Sequence, residues 1–107
     1  MSRPSPVPGA VLVRSADAEH QLQGLRTALS LAMGDRPAGL YLAGGGVTAL
    51  EALPGSEAEA CLTALVESGV AIVAEDEGST PLAHGARRVS RSQLLAALAE
   101  AEFQQTF

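Results

Sequence analysis

Aromatic side chains are nearly absent from this chain: one Tyr, two Phe and no Trp stand among 107 residues. The core of any fold must therefore be aliphatic, built from Leu, Val and Ala. Binding of nucleic acid by stacking bases on aromatic rings is disfavoured by the same shortage. Lysine is missing altogether, so all 7 basic residues are arginine, and 12 acids outnumber them to leave a formal charge of -5. A nucleic-acid binder needs a basic face, and the one short cluster is Arg87, Arg88 and Arg91. No nucleic-acid partner is expected.

Cysteine occurs once, at Cys61, which excludes an intramolecular disulfide and a cysteine-rich metal site. No apolar run approaches the ~20 residues of a membrane span, so no membrane partner is expected. Residues 1–9 hold Pro4, Pro6 and Pro8, which deny them both the apolar core of a signal peptide and regular hydrogen bonding. They read as a flexible N-terminal arm preceding one domain over 10–107. These absences together point to the cytoplasm.

What is present is a repeating order of apolar runs and amphipathic stretches. Residues 10–14, 39–43 and 70–74 are short and mostly apolar, the pattern of strands buried on both faces. Between the first two, Leu22, Leu25, Leu29, Ala32 and Met33 recur at helical spacing, with Gln21, Gln23 and Arg26 expected opposite. Ser15 and Asp17 are alternative N-caps, and Gly34 suits the C′ position with Pro37 beyond it. Residues 47–53 predict a short helical turn. A second helix is expected over 56–68, capped by Ser56 and ended by Gly69, with Ala58, Cys61, Leu62 and Leu65 on one face.

The polar loop 75–85 leads to a short fourth strand at 87–89. Ser90 and Gln93 have the spacing of a capping box, opening a third helix with Leu94, Leu95 and Leu98 on one face. Residues 103–107 suit an edge strand. Strands alternating with helices predict right-handed βαβ units. The expected fold is α/β, a three-layer α/β/α sandwich with a mainly parallel sheet of four to five strands. A core this light, in a chain this short, favours assembly with a second subunit.

In parallel sheets ligands collect at the carboxyl ends of the strands. Three loops meet there: 14–17, 44–48 and 75–84. Ser15, Asp17, Gly44, Gly45, Gly46 and Glu75 are therefore the candidate ligand-binding residues. Glycines let a backbone come close to a ligand, yet the Gly-x-Gly-x-x-Gly spacing and the Lys-Ser/Thr of a phosphate loop are missing; a tight turn explains them equally. His20 and His84 lack any metal-ligand spacing, and no metal or cofactor is expected. Cys61 is the one candidate nucleophile. A reactive thiolate needs exposure and positive neighbours, whereas Cys61 lies on an apolar face near Glu57 and Glu59.

The stretch Gly24-Leu-Arg-Thr-Ala-Leu-Ser-Leu-Ala32, followed by Leu40-Tyr-Leu-Ala-Gly-Gly-Gly-Val-Thr-Ala-Leu50, resembles the DsrE/DsrF/DsrH-like family of sulfur-relay proteins. Gly46-Val47 matches that family's Gly-Val step, while Gly45 stands where an acidic residue is frequent. The loop 75–85 and the closing Arg88-Val-Ser-Arg-Ser-Gln-Leu-Leu95 look most like the DsrH (TusB-type) branch. The resemblance covers about residues 10 to 107. It implies a three-layer sandwich and assembly into homo- or hetero-oligomers of related subunits. It also implies sulfur carried as a persulfide on one cysteine, which in DsrE-like subunits follows the third strand. Glu75 or Asp76 holds that position here, the first helix has no cysteine, and Cys61 matches neither place.

Three functional readings result. The leading one is a non-catalytic or regulatory DsrE/DsrH-like subunit with no independent catalytic activity. The alternatives are a sulfur carrier using Cys61, and a small-ligand or anion-binding module using loop 44–48.

Overall fold

The computed structural model describes residues 9–34, 36 and 38–107. Strands β1 (Gly9–Val13), β2 (Ala38–Leu42), β3 (Ile72–Glu75), β4 (Arg87–Val89) and β5 (Gln104–Thr106) form one sheet in the order β4-β3-β2-β1-β5. Every neighbouring pair is parallel. Helices α1 (Ala18–Met33), α2 (Glu57–Glu67) and α3 (Arg91–Ala99) make the connections, with a 3₁₀ segment at Gly44–Glu51 between β2 and α2. The expected sandwich is present, with five strands and no antiparallel pair among the described residues. The arm expected at 1–9 lies outside the described residues except for Gly9, which opens β1.

Topology decides which face each helix covers. From β1 to β3 the chain steps in one direction across the sheet, and α1 and α2 pack on one face. The main core lies there, with Val11, Val13, Leu25, Leu40, Leu42, Leu62, Leu65 and Ile72 buried together. The chain then returns from the β4 edge to the β5 edge. A right-handed crossover in the reverse direction must pass over the opposite face. Accordingly α3 sets Leu94 against Leu12, Ala43 and Val89 in a second, smaller core, with Tyr41, Val73 and Leu98 half-covered.

Local chemistry sets the helix ends. Asp17, rather than Ser15, caps α1 by accepting the His20 N–H at 3.1 Å. Ser56 caps α2 through the Glu59 N–H. The Ser90–Gln93 capping box forms in full. Gly69 takes φ +80 after α2, a left-handed residue suited to glycine. Gly34 does not fill the expected C′ role: its φ is -85, and it ends α1 as the C-cap itself.

The buried stripe of α1 is rotated from the sequence expectation. Gln21, Gly24, Leu25 and Ala28 face the sheet, and Met33 is 78% exposed. Gly24 is the reason: a methyl there would sit 2.5 Å from Val13 Cγ2. Its absence lets the helix approach β1 along this line, and Leu22 and Leu29 become flanking contacts. On α3, Leu94 is buried but Leu95 is exposed, so the three leucines do not share one face.

Candidate functional site

The chain leaves β3 toward the α2 face and leaves β4 toward the α3 face. Adjacent parallel strands whose connections depart to opposite faces open a crevice at their carboxyl ends. A cleft of about 750 Å³ lies there, lined by Glu75, Asp76 and Glu77 at and after the end of β3 and by Arg88, Ser90, Arg91 and Gln93 from β4 and the start of α3.

Two ion pairs tie its walls together. Arg91 Nε donates to Glu75 Oε2 at 2.7 Å, and Arg88 Nε donates to Asp76 Oδ2 at 2.7 Å. Arg88 also donates to the Thr80 carbonyl, fastening the 75–85 loop. The Arg91 guanidinium holds the Glu75 carboxyl below the usual range, with help from the Gly44 N–H and Arg14, against a partial loss of solvation. Arg88 and the Gly78 N–H do the same for Asp76. Glu75 in turn pushes the Arg91 guanidinium upward. The cleft therefore holds paired charges. A free anion meets an excess of carboxylates, with three acids facing two arginines in its lining.

The glycine loop opens on the same edge. Gly44, at φ +54, donates its N–H to Glu75 Oε1 at 3.3 Å. Gly46 passes so close to β1 that a methyl group would overlap the Val13 carbonyl. Gly45 packs against Ala16 in the same way, and its carbonyl accepts from Thr48 Oγ1 at 2.8 Å. These contacts account for three consecutive glycines through close packing and one left-handed turn.

Gln21 joins the first two loops. It is buried at 8% exposure, and its Nε2 lies 3.0 Å from the Ser15 carbonyl, 3.3 Å from the Gly45 carbonyl and 2.8 Å from Thr48 Oγ1. A buried amide without such acceptors would carry a large desolvation cost. Helical periodicity alone puts Gln21 on the solvent side. It shares a helix line with Gly24, Leu25 and Ala28, the line that the structure turns toward the sheet.

Ser15, Asp17 and His20 also meet at this end. Ser15 Oγ lies 3.4 Å from His20 Nδ1 and Asp17 Oδ2 lies 3.6 Å from the same nitrogen. A Ser–His–Asp relay needs its serine and carboxylate on opposite ring nitrogens. Here both oxygens compete for one, so the trio serves the N-terminus of α1.

Cys61 is remote from this edge. It is 7% exposed within the main core. Burial pushes its thiol pKa up, Glu57 adds to the rise, and Arg26 opposes it. The structure thus gathers Ser15, Asp17, Gly44, Gly45, Gly46 and Glu75 at one end of the sheet and leaves Cys61 apart. Sequence reasoning did not identify Gln21, Arg88 and Arg91 as organisers of that end. Among the described residues, no group of three or more His, Cys, Asp or Glu is placed to hold a metal ion. Among the same residues, no helix is long and apolar enough to cross a membrane.

No protein-family model and no curated protein matches the sequence. In structure the chain is similar to the YchN protein from E. coli, known from its crystal structure. The TM-score is 0.80 at 20% identity, over 94% of this chain and 98% of that one. At this identity the likeness is one of fold, a five-stranded parallel sheet with helices on both faces.

Proposed function

We propose that this chain is a non-catalytic or regulatory subunit of DsrE/DsrH-like type. It assembles with itself or with related subunits and is connected with sulfur relay in the cytoplasm. One observation carries this reading. At the end of β3, where the family resemblance implies a sulfur-bearing cysteine, Glu75 is fixed by Arg91 and by the Gly44 N–H. A carboxylate cannot form a persulfide. Cys61, the only thiol, is buried in the core with a raised pKa, opposite to the exposed, low-pKa setting of a reactive cysteine. The subunit's part is then structural: its sheet edge and helices present a surface beside a partner that carries the cysteine.

An anion-binding role for loop 44–48 has less support. The Gly44 N–H is already taken by Glu75, and packing accounts for Gly45 and Gly46.

Exposure of the native protein to a small-molecule persulfide donor, followed by mass spectrometry, tests the reading. The expected spectrum shows no gain of a sulfur atom on Cys61. Stoichiometric gain without unfolding overturns it in favour of the sulfur carrier.

A further inference from the structure

A second, smaller recess lies on the α3 side of the same sheet end. Its volume is about 190 Å³, and Leu12, Ala43, Leu94, Leu95 and Leu98 form its apolar walls. Leu94 is buried and Leu98 half-buried, while Leu95 stands on the open rim at 58% exposure. Strand register explains the position. Val13 pairs with Leu42, and Leu42 with Ala74, so the next row across the sheet is Arg14, Ala43 and Glu75. The Ala43 N–H donates to the Val13 carbonyl at 3.0 Å, which carries the ladder up to that row. A methyl group at the middle of the row, between two long side chains, leaves a hollow beside α3.

The polar end of this recess carries Arg14, Glu75 and Arg91. Two of these hold each other. Glu75 Oε2 accepts from Arg91 Nε at 2.7 Å, and Oε1 accepts from Arg91 Nη2 at 3.4 Å and from the Gly44 N–H at 3.3 Å. Among the described residues no ion pair holds the Arg14 guanidinium. The Phe107 main-chain oxygen nearby accepts from the Arg14 and Ser15 backbone N–H groups. The lining of the recess thus has one positive charge in excess, opposite in sign to the larger cleft with its three acids and two arginines. An apolar pocket with a few polar groups that fix orientation is the general form of a small-molecule site. The volume lies below the ~300 Å³ at which drug-sized pockets begin, so the occupant is small.

We propose that this recess binds a small aliphatic carboxylic acid, with its carboxylate on Arg14 and its chain along Leu12, Ala43 and the α3 leucines. A guanidinium offers two parallel N–H donors that match the two oxygens of a carboxylate. The chain covers leucine surface that otherwise stays in water. No aromatic ring lines the recess, so its walls suit an aliphatic chain rather than a stacked ring. Phosphate gains nothing from these walls, and a neutral alcohol gains nothing from the charge of Arg14; the two features together select the ligand. All of the lining comes from one chain, so the site does not depend on the assembly reading above.

Titration of the full chain with sodium octanoate, followed by amide chemical shifts, tests the site; octanol and inorganic phosphate serve as the two half-ligands. Octanoate is expected to bind saturably, with shifts centred on Arg14, Ala43 and residues 94–98. Octanol is expected to bind at least about tenfold more weakly, because it forgoes the hydrogen bonds to a charged group. Phosphate is expected not to compete. Arg14→Gln should weaken octanoate by about tenfold on the same grounds and leave octanol unchanged. Arg87→Gln, an equal change of charge at the start of β4, should leave both unchanged. Leu95→Gln, on the exposed rim, should weaken octanoate and octanol alike. A lack of saturable octanoate binding, or shifts centred on another surface, overturns the proposal. So does equal affinity for octanoate and octanol, or an equal loss in Arg14→Gln and Arg87→Gln.

Discussion

Arg91 Nε lies 2.7 Å from Glu75 Oε2, so the first turn of α3 is fastened to the last residue of β3. This bond crosses the point where the chain changes from one face of the sheet to the other. The companion pair Arg88–Asp76 ties β4 to the residue that follows β3. Glu75 and Asp76 are thus held by the protein's own arginines, and the site's chemistry follows from that.

Acid should loosen this edge. The folded protein holds Glu75 and Asp76 below their ordinary pKa values. Groups depressed in the folded state stabilise it fully above their unfolded values, about 4.3 for Glu and 3.9 for Asp. That stabilisation is lost as pH falls through those values toward the folded ones. Urea midpoints should be flat near neutrality and decline below about pH 5. The double variant Glu75→Gln, Asp76→Asn should show a shallower decline. An identical acid slope in wild type and variant would show that these pairs do not contribute.

Gln21→Leu should destabilise the fold by about 1–3 kcal/mol, because it leaves the Ser15 carbonyl and Thr48 without their buried donor. Equilibrium urea unfolding measures this directly. A variant as stable as the wild type would mean that water replaces the amide and that the two loops are not joined through it.

Free phosphate and ATP should bind weakly or not at all at this edge. Glu75, Asp76 and Glu77 line the cleft with only Arg88 and Arg91 opposing them, and both arginines are already paired. Nearby carboxylates repel an anion. Calorimetric titration at moderate salt decides the matter. Micromolar affinity for either compound would make the small-ligand reading the leading one.

Much of the fold was legible in the sequence because buried parallel strands read as apolar runs and because helix ends carry capping side chains. Ser56, Ser90 with Gln93, and Gly69 each do what their chemistry predicts. The rotation of α1 was not legible, since it depends on Gly24 meeting Val13, a contact between separate elements. The same holds for Gln21: its burial follows from acceptors that the fold brings from positions 15, 45 and 48. Glu75 could be placed at a strand end from sequence. Its pairing with Arg91 could not, because α3 reaches it only after crossing to the other face.

The most direct test of the account is the accessibility of its only thiol. Cys61 sits among Leu62, Leu65 and the rest of the main core at 7% exposure, with burial raising its pKa. A thiol-reagent titration of the native protein should proceed slowly, at a rate set by opening of the core, and become fast and complete in denaturant. Cys61→Ala should cost only about 1 kcal/mol and leave the assembled mass unchanged. Rapid, stoichiometric labelling of the folded protein would contradict the account and restore Cys61 as a sulfur carrier.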